Sequence, residues 1–130
     1  HAVLDQRECE INDWRRMRDE ADAVNEEFGL STAIAQSALV SPYWLAQFSD
    51  SETCLSVERQ LSVLGIGSRR WWGMGIHQMT AFADCNGGSS QFPVTEDLCG
   101  RILGLPFYRG MTQADFALVS SGLREALAIA

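Results

Sequence analysis

The sequence predicts an α+β fold in which a small antiparallel or mixed sheet is covered by helices. Three observations support this prediction. Apolar residues recur at three-, four- and seven-residue steps through residues 1–28, which is typical of one long amphipathic helix. Short aromatic or apolar runs favour strands, and helix-start signals lie between them. A chain of 130 residues can bury one modest core.

The N-terminal helix is predicted to be unusually long. At a rise of ~1.5 Å per residue it would extend roughly 42 Å, which is oversized for so small a domain. We therefore expect residues 1–29 to connect the domain to something else and residues 30–130 to form a small α+β domain. The apolar stripe favours a surface intended for a partner domain. Its members are Leu4, Ile11, Trp14, Met17, Ala21, Val24 and Phe28.

Three segments are predicted to be extended. Residues 30–38 form a short strand or extended piece, residues 40–48 form a better strand, and residues 104–108 form a brief third one. Apolar side chains occur on both faces of the second segment, which predicts a strand covered on both sides. Period-2 alternation places three apolar residues on one of these faces: Trp44, Ala46 and Phe48.

Capping signals predict three further helices. Residues 49–52 have the pattern of a capping box, and a helix follows them. Thr95 is predicted to cap a second helix that runs to about Leu103. Thr112 and Asp115 form another capping box, which opens the C-terminal helix.

The stretch at residues 65–77 concentrates the chemistry of the chain, with two arginines, two tryptophans, four glycines and a histidine. It predicts a short strand over residues 68–72, because aromatic side chains favour a pleated, half-buried surface. Period-2 alternation places Arg69 and Arg70 on opposite faces, with Trp72 beside Arg70. Fixed cations and flat rings suit an anionic, ring-bearing ligand.

Arg69, Arg70, Trp72 and His77 are therefore the candidate ligand-binding residues. In the alternative interpretation, the arginines are solvated on an edge strand and the tryptophans fill the core. His77 would then be a partly buried imidazole satisfied by a backbone carbonyl. The residues leave both interpretations open, and they do not decide which arginine faces a ligand.

Composition excludes several classes of function. The net charge of −7 argues against a general nucleic-acid or anionic-membrane surface. No apolar run approaches the ~20 residues needed to span a membrane. The four cysteines are scattered, so a zinc site is not expected. We expect a cytoplasmic protein whose thiols are reduced. All ten basic residues are arginine, and lysine is the residue that forms Schiff bases with pyridoxal phosphate.

Four ordered motifs carry a family resemblance. They are an aromatic strand at residues 44–48 (WLAQF), the segment 64–77 (LGIGSRRWWGMGIH), a helix start at 92–96 (FPVTE) and the element 103–112 (LGLPFYRGMT). Together they resemble the small domain of the DegT/DnrJ/EryC1/StrS aminotransferases. That family acts on nucleotide-linked keto-sugars and related cyclitols.

The resemblance implies the C-terminal domain of a fold-type-I aminotransferase that uses pyridoxal phosphate. The Schiff-base lysine and the phosphate-binding residues of the family precede this segment, so the chain alone is expected to bind no cofactor covalently and to be inactive. His77 matches the family histidine expected near the sugar nucleotide, while Arg69 and Arg70 cover the family arginine. Ser68 stands where the family often has threonine.

The resemblance also implies the partners of the chain. These are a missing N-terminal large domain, a nucleotide-sugar substrate and, in the complete enzyme, a second copy in a homodimer. No nucleic acid and no membrane are expected. The alternative is a non-catalytic binding or interaction module left from a split or truncated gene.

Overall fold

Four α-helices and one three-stranded antiparallel sheet make up the described part of the fold, which is the α+β class that the sequence predicts. The computed structural model of the protein describes residues 2–32, 41–70, 73–85 and 92–130. The elements are α1 (Ala2–Glu27), β1 (Ser31–Thr32), β2 (Trp44–Gln47), α2 (Ser51–Val63), α3 (Pro93–Arg101), β3 (Ile102–Leu105) and α4 (Gln113–Ile129), with 3₁₀ turns at Ile76–Gln78 and Thr80–Cys85.

The sheet has the order β1-β2-β3, and both pairings are antiparallel. β2 is central, and its register pairs Trp44 with Leu105 and Leu45 with Gly104. Trp44 and Ala46 are buried, and Phe48, just beyond the strand, is buried too, as the alternation predicts. Because β2 is hydrogen-bonded on both edges, it is the most constrained strand of the sheet.

One core cluster joins the sheet to all the helices except α3. The rings of Trp44 in β2 and Phe116 in α4 lie 5.5 Å apart, and Leu61 of α2 is fully buried beside them in the cluster. Burying a side chain of this size stabilises a fold by about 1.5–3 kcal/mol. The sheet and α4 are therefore held together mainly by apolar packing.

The C-terminal half of α1 packs onto this same core. Met17 and Ala21 are buried, and Trp14 is partly buried against the cluster. The expectation that the whole stripe awaits a partner domain is thus wrong for this half, because the sheet and α4 of the same chain cover it. The first part of the helix differs, since Leu4 is 60% exposed and Ile11 is 37% exposed.

Two predicted caps are displaced, by one residue at α2 and by three residues at α3. Asp50, not Ser49, caps α2, and its carboxylate accepts a hydrogen bond from the Thr53 amide at 2.8 Å. Thr95 lies inside α3, which begins at Pro93. Proline suits a first helical position because its φ is already helical and its missing N–H would have no partner there.

The capping box of α4 is confirmed. The Thr112 side chain accepts from the Asp115 amide, and the Asp115 carboxylate accepts from the Thr112 amide at 2.7 Å. The stripe that follows is buried at Phe116, Val119 and Leu123. The local signal and the apolar pattern agree at this helix, so both its start and its buried face were predictable.

The strand predicted over residues 68–72 is present as a single bridge in its described part. Arg69 pairs with Gly104 in antiparallel fashion, through two hydrogen bonds of 2.8 Å. Trp71 and Trp72 lie outside the described residues. The bridge extends the sheet beyond β3, because Gly104 is paired with Leu45 on its other side.

The N-cap of α2 makes the stability of the fold pH-dependent. The pKa of Asp50 is lowered to about 2, chiefly by the hydrogen bond from the Thr53 amide and next by those from the Ser49 and Thr53 hydroxyls. Because the pKa in the folded state lies below the unfolded value of about 3.9, the ionised carboxylate stabilises the fold above about pH 4. This contribution is lost as the pH falls through about 2.

We expect Asp50→Ala to lower the free energy of unfolding near neutral pH, and this deficit to shrink between about pH 4 and pH 2. Urea unfolding of both proteins across this range measures the difference. Asp50→Asn is the matched control, because its amide oxygen can still accept from the Thr53 amide and its deficit should be smaller. A deficit for Asp50→Ala that stays constant down to pH 2 would contradict the assignment.

Candidate functional site

A cleft of about 380 Å³ opens where the Arg69–Gly104 bridge meets the start of β2 and the end of β3. The bridge brings three chain segments together, at residues 42–44, 67–69 and 104–107. The described residues that shape its walls most directly are Pro42, Tyr43, Trp44, Arg69, Pro106 and Phe107. We call this the Arg69 cleft.

Among the described residues that line this cleft, Arg69 is the one that carries a charge. Its backbone is fixed by the two hydrogen bonds to Gly104, and the residue is exposed. Tyr43 is 41% exposed at the cleft, and the Phe107 ring packs 5.4 Å from the Trp14 ring of α1. One cation beside aromatic side chains suits a ligand with a negative charge and a flat or apolar part.

Arg70 lies in different surroundings. Its Nε donates to the Glu58 carboxylate of α2 at 2.7 Å, and its NH2 lies 3.7 Å from the Cys54 Sγ. Both members of the ion pair are only a quarter to a third exposed. The charge of Arg70 is therefore already balanced within the domain by that of Glu58.

A second cleft, of about 670 Å³, lies beside Arg70 between α2 and α3. Arg101 also lines it, but this arginine is paired with Asp97, and the Arg101 guanidinium lowers the pKa of that carboxyl. Two arginines thus face four carboxylates across this cleft. The carboxylates are those of Asp50, Glu52, Glu96 and Asp97. An anion would meet repulsion there.

His77 is held against the start of α3. Its Nε2 lies 3.2 Å from the Glu96 Oε1, its ring lies 5.1 Å from the ring of Phe92, and its side chain is only 8% exposed. The Nε2 of the imidazole is therefore engaged with a carboxylate of the same domain. The contact joins the 3₁₀ turn at Ile76–Gln78 to α3.

Gly75 permits this placement of the imidazole. Its φ is 101°, a conformation that side-chain-bearing residues rarely adopt. A Cβ at this position would lie 2.6 Å from the Cε1 of His77 and 2.8 Å from its Nδ1. The glycine is needed both for its backbone conformation and for the close approach of the ring.

The three candidate residues that the structure describes are not gathered into one pocket. Arg69 lines the first cleft, Arg70 lines the second, and His77 touches the second through Glu96. Trp72 lies outside the described residues. The sequence did not identify the residues that contact or surround these candidates, although two of them, Glu96 and Phe107, lie in the motifs at 92–96 and 103–112. The missed residues are Tyr43, Glu58, Glu96 and Phe107.

The described residues include neither a metal-binding cluster nor a membrane-spanning helix. They contain no group of three or more histidine, cysteine, aspartate or glutamate residues placed to hold a metal ion. In the same part of the chain, no helix combines the length and the apolar character required to cross a membrane.

The model of the DegT/DnrJ/EryC1/StrS aminotransferase family matches residues 11–124 of the chain. No curated protein matches the sequence of this chain. The fold is similar to that of several solved aminotransferases, all of them distant in sequence.

Three of these structures indicate the extent of the likeness. The aminotransferase TlmJ from Streptoalloteichus hindustanus superposes with a TM-score of 0.69 at 19% identity, over 88% of this chain and 32% of its own. A family member from Brucella abortus superposes with a TM-score of 0.67 at 21% sequence identity, over 88% of this chain and 31% of its own. The putative sugar aminotransferase Spr1654 from Streptococcus pneumoniae, in its PMP form, superposes with a TM-score of 0.80 at 10% sequence identity. The match covers 97% of this chain and 33% of Spr1654. The chain thus spans about a third of their length.

We expect Gly75→Ala to destabilise the protein by about 1–3 kcal/mol, because the substitution combines backbone strain with displacement of the His77 ring. Urea unfolding measures the loss, and amide exchange over residues 75–79 should accelerate as the turn detaches from α3. Gly67→Ala is the control, because its φ is not positive and a Cβ there meets nothing within 4 Å. Equal stability of the two variants would contradict the role of Gly75.

Proposed function

The chain belongs to the DegT/DnrJ/EryC1/StrS aminotransferase family, and from this premise we propose that it is the C-terminal part of a pyridoxal-phosphate-dependent aminotransferase acting on a nucleotide-linked keto-sugar or related cyclitol. The match over most of the chain and the coverage of only a third of the solved relatives support this proposal. In it, residues 1–29 connect to a large domain and residues 30–130 form the small domain.

The residues of this chain do not fit covalent attachment of pyridoxal phosphate. None of its 130 residues is a lysine, so no side-chain amine is present to hold the cofactor. We assign the attachment to the large domain of the complete enzyme. The contribution of this chain is then to bind and orient the substrate.

The observation that supports this role best is the Arg69 cleft. The guanidinium projects from a backbone fixed by two hydrogen bonds to Gly104, and Arg69 brings a positive charge to a cleft whose described lining includes aromatic side chains. A diphosphate would accept charge-assisted hydrogen bonds from it, each typically worth about 1.5–3 kcal/mol. We therefore assign Arg69, rather than Arg70, to the anionic part of the substrate.

Arg70 and His77 have supporting roles in this proposal. Arg70 holds Glu58 and so fixes the segment after α2, while His77 fixes the following turn through Glu96. Trp72 keeps the role expected from the sequence, a ring that stacks on the substrate beside these segments. The complete enzyme is proposed to be a homodimer in the cytoplasm.

A second candidate function is a non-catalytic binding module. The absence of lysine fits both candidates, because the enzyme would attach the cofactor to its large domain and the module would need none. The coding sequence upstream of this segment separates the two. An in-frame large domain supports the enzyme, and a start codon with its own promoter supports the module.

We expect Arg69→Ala in the complete enzyme to lower kcat/KM for the nucleotide sugar by roughly 10- to 100-fold, because one or two charge-assisted hydrogen bonds are lost. The half-reaction with the amino donor should change far less, since that ligand carries no diphosphate. Stopped-flow measurement of both half-reactions separates the effects.

Arg70→Ala is the matched control for this experiment. It removes the neighbouring guanidinium, which is bound to Glu58, and should affect both half-reactions to a similar, smaller extent. The assignment is overturned if Arg70→Ala gives the selective loss and Arg69→Ala does not. Equal losses in both half-reactions for Arg69→Ala would give that residue a structural role.

The chain alone is expected to form no stable covalent link with pyridoxal phosphate, because it has no lysine amine. Incubation with the cofactor, reduction with borohydride and intact mass measurement test this. An N-terminally acetylated sample is the control for reaction of the terminal amine. A reduced adduct that survives in the acetylated protein would contradict the expectation.

A further inference from the structure

The geometry points to Arg18 and Asn25 of α1 as positioning residues for the Arg69 cleft. Both are buried polar residues on a helix that does not itself line the cleft. The inference deepens the proposed function and rests on it only where substrate binding is concerned. We call these two residues and their hydrogen bonds the α1 clamp.

Arg18 holds the backbone at the entrance of β2. Only 4% of the residue is exposed, and its NH1 donates to the carbonyl oxygen of Tyr43 at 2.7 Å. Its Nε lies 3.4 Å from the Asp22 carboxylate, one turn further along α1. A buried guanidinium held at both ends has little freedom, so the Tyr43 carbonyl is fixed relative to the helix.

Asn25 forms hydrogen bonds with Trp44 and Leu45, the first two residues of β2. It is 1% exposed, and its Oδ1 accepts from the Trp44 indole Nε1 at 2.9 Å. Its Nδ2 donates to the Leu45 carbonyl oxygen at 3.2 Å and to the Thr32 Oγ1 at 3.3 Å. One side chain therefore fixes the buried ring of Trp44, a residue of the cleft, and the strand backbone beside it.

Thr32 closes the network on its other side. Its hydroxyl donates to the Asp22 Oδ1 at 3.0 Å, so the partner of Arg18 and the partner of Asn25 are joined. Among the described residues, no buried side-chain nitrogen or oxygen is left without a hydrogen-bond partner. A fully satisfied buried network of this kind favours one geometry over its alternatives.

A continuous path leads from this network to Arg69. Asn25 binds the Leu45 carbonyl, Leu45 pairs with Gly104 in the sheet, and Gly104 pairs with Arg69. The clamp also fixes Tyr43 and Trp44 on the opposite wall. The position of α1 thus sets the separation between the aromatic wall and the arginine.

The first test uses amide hydrogen exchange of the chain itself, with Arg18→Met and Asn25→Leu. Both variants remove the polar partners but keep side-chain bulk. We expect exchange at residues 43–45, Arg69 and Gly104 to accelerate by roughly 10-fold or more, with amides in the middle of α4 little changed. Arg15→Met, at an exposed position of the same helix, should leave the whole pattern unaltered.

Uniform acceleration that includes α4 would mean that the two residues only support global stability, and unchanged exchange would mean that no clamp exists. Either outcome overturns the inference. Thr32→Val is the milder variant should the first two fail to fold. It keeps Arg18 and Asn25 and should produce the same local pattern at smaller amplitude.

The second test separates the clamp from the substrate assignment, using the complete enzyme. We expect Arg18→Met to raise KM for the nucleotide sugar by roughly 3- to 10-fold while KM for the amino donor stays unchanged. Local exchange without a KM change would leave the clamp intact and overturn the substrate assignment of the cleft. A KM change without the local exchange pattern would overturn the clamp.

Discussion

The pairing of Arg69 with Gly104 is the constraint on which the rest of this structure depends. Gly104 lies inside β3 and is paired on both sides, with Leu45 of the central strand and with Arg69. The pairing carries the sheet one residue further and fixes the direction in which the arginine leaves the backbone. Without it, the segment after α2 would lose its place at the edge of the sheet and the cleft would lack one wall.

Neighbouring arginines of the domain lie in different electrostatic surroundings. Arg70 faces Glu58 and Arg101 faces Asp97, so each has its counter-charge on a helix of the same chain. None of the described residues that line the cleft at Arg69 is acidic. In an acidic protein, such a cleft stands out because it differs from the sign of the whole molecule.

Much of the fold was predictable because its signals are local. The stripe of α1, the alternation around Trp44 and the capping box of Thr112 all act within a few residues. The caps of α2 and α3 were displaced because serine, aspartate, threonine and proline compete for adjacent positions there. The burial of the C-terminal half of the α1 stripe was predicted against the wrong surface, since periodicity identifies an apolar face but not what covers it.

The site was less predictable because its contacts join distant segments. Nothing local to His77 indicates that Glu96, 19 residues later, binds its imidazole. The same holds for Glu58 and Arg70, and for the hydrogen bonds from α1 to β2. The sequence therefore identified the candidate residues, while their division between the Arg69 cleft and internal ion pairs required the fold.

The most direct test is a crystal structure of the complete enzyme with a bound nucleotide sugar. The proposed site predicts that the Arg69 guanidinium lies within hydrogen-bond distance of the phosphate oxygens, in the cleft of Tyr43 and Phe107, with Arg70 still bound to Glu58. A diphosphate held by Arg70, or an Arg69 cleft filled by protein, would contradict it.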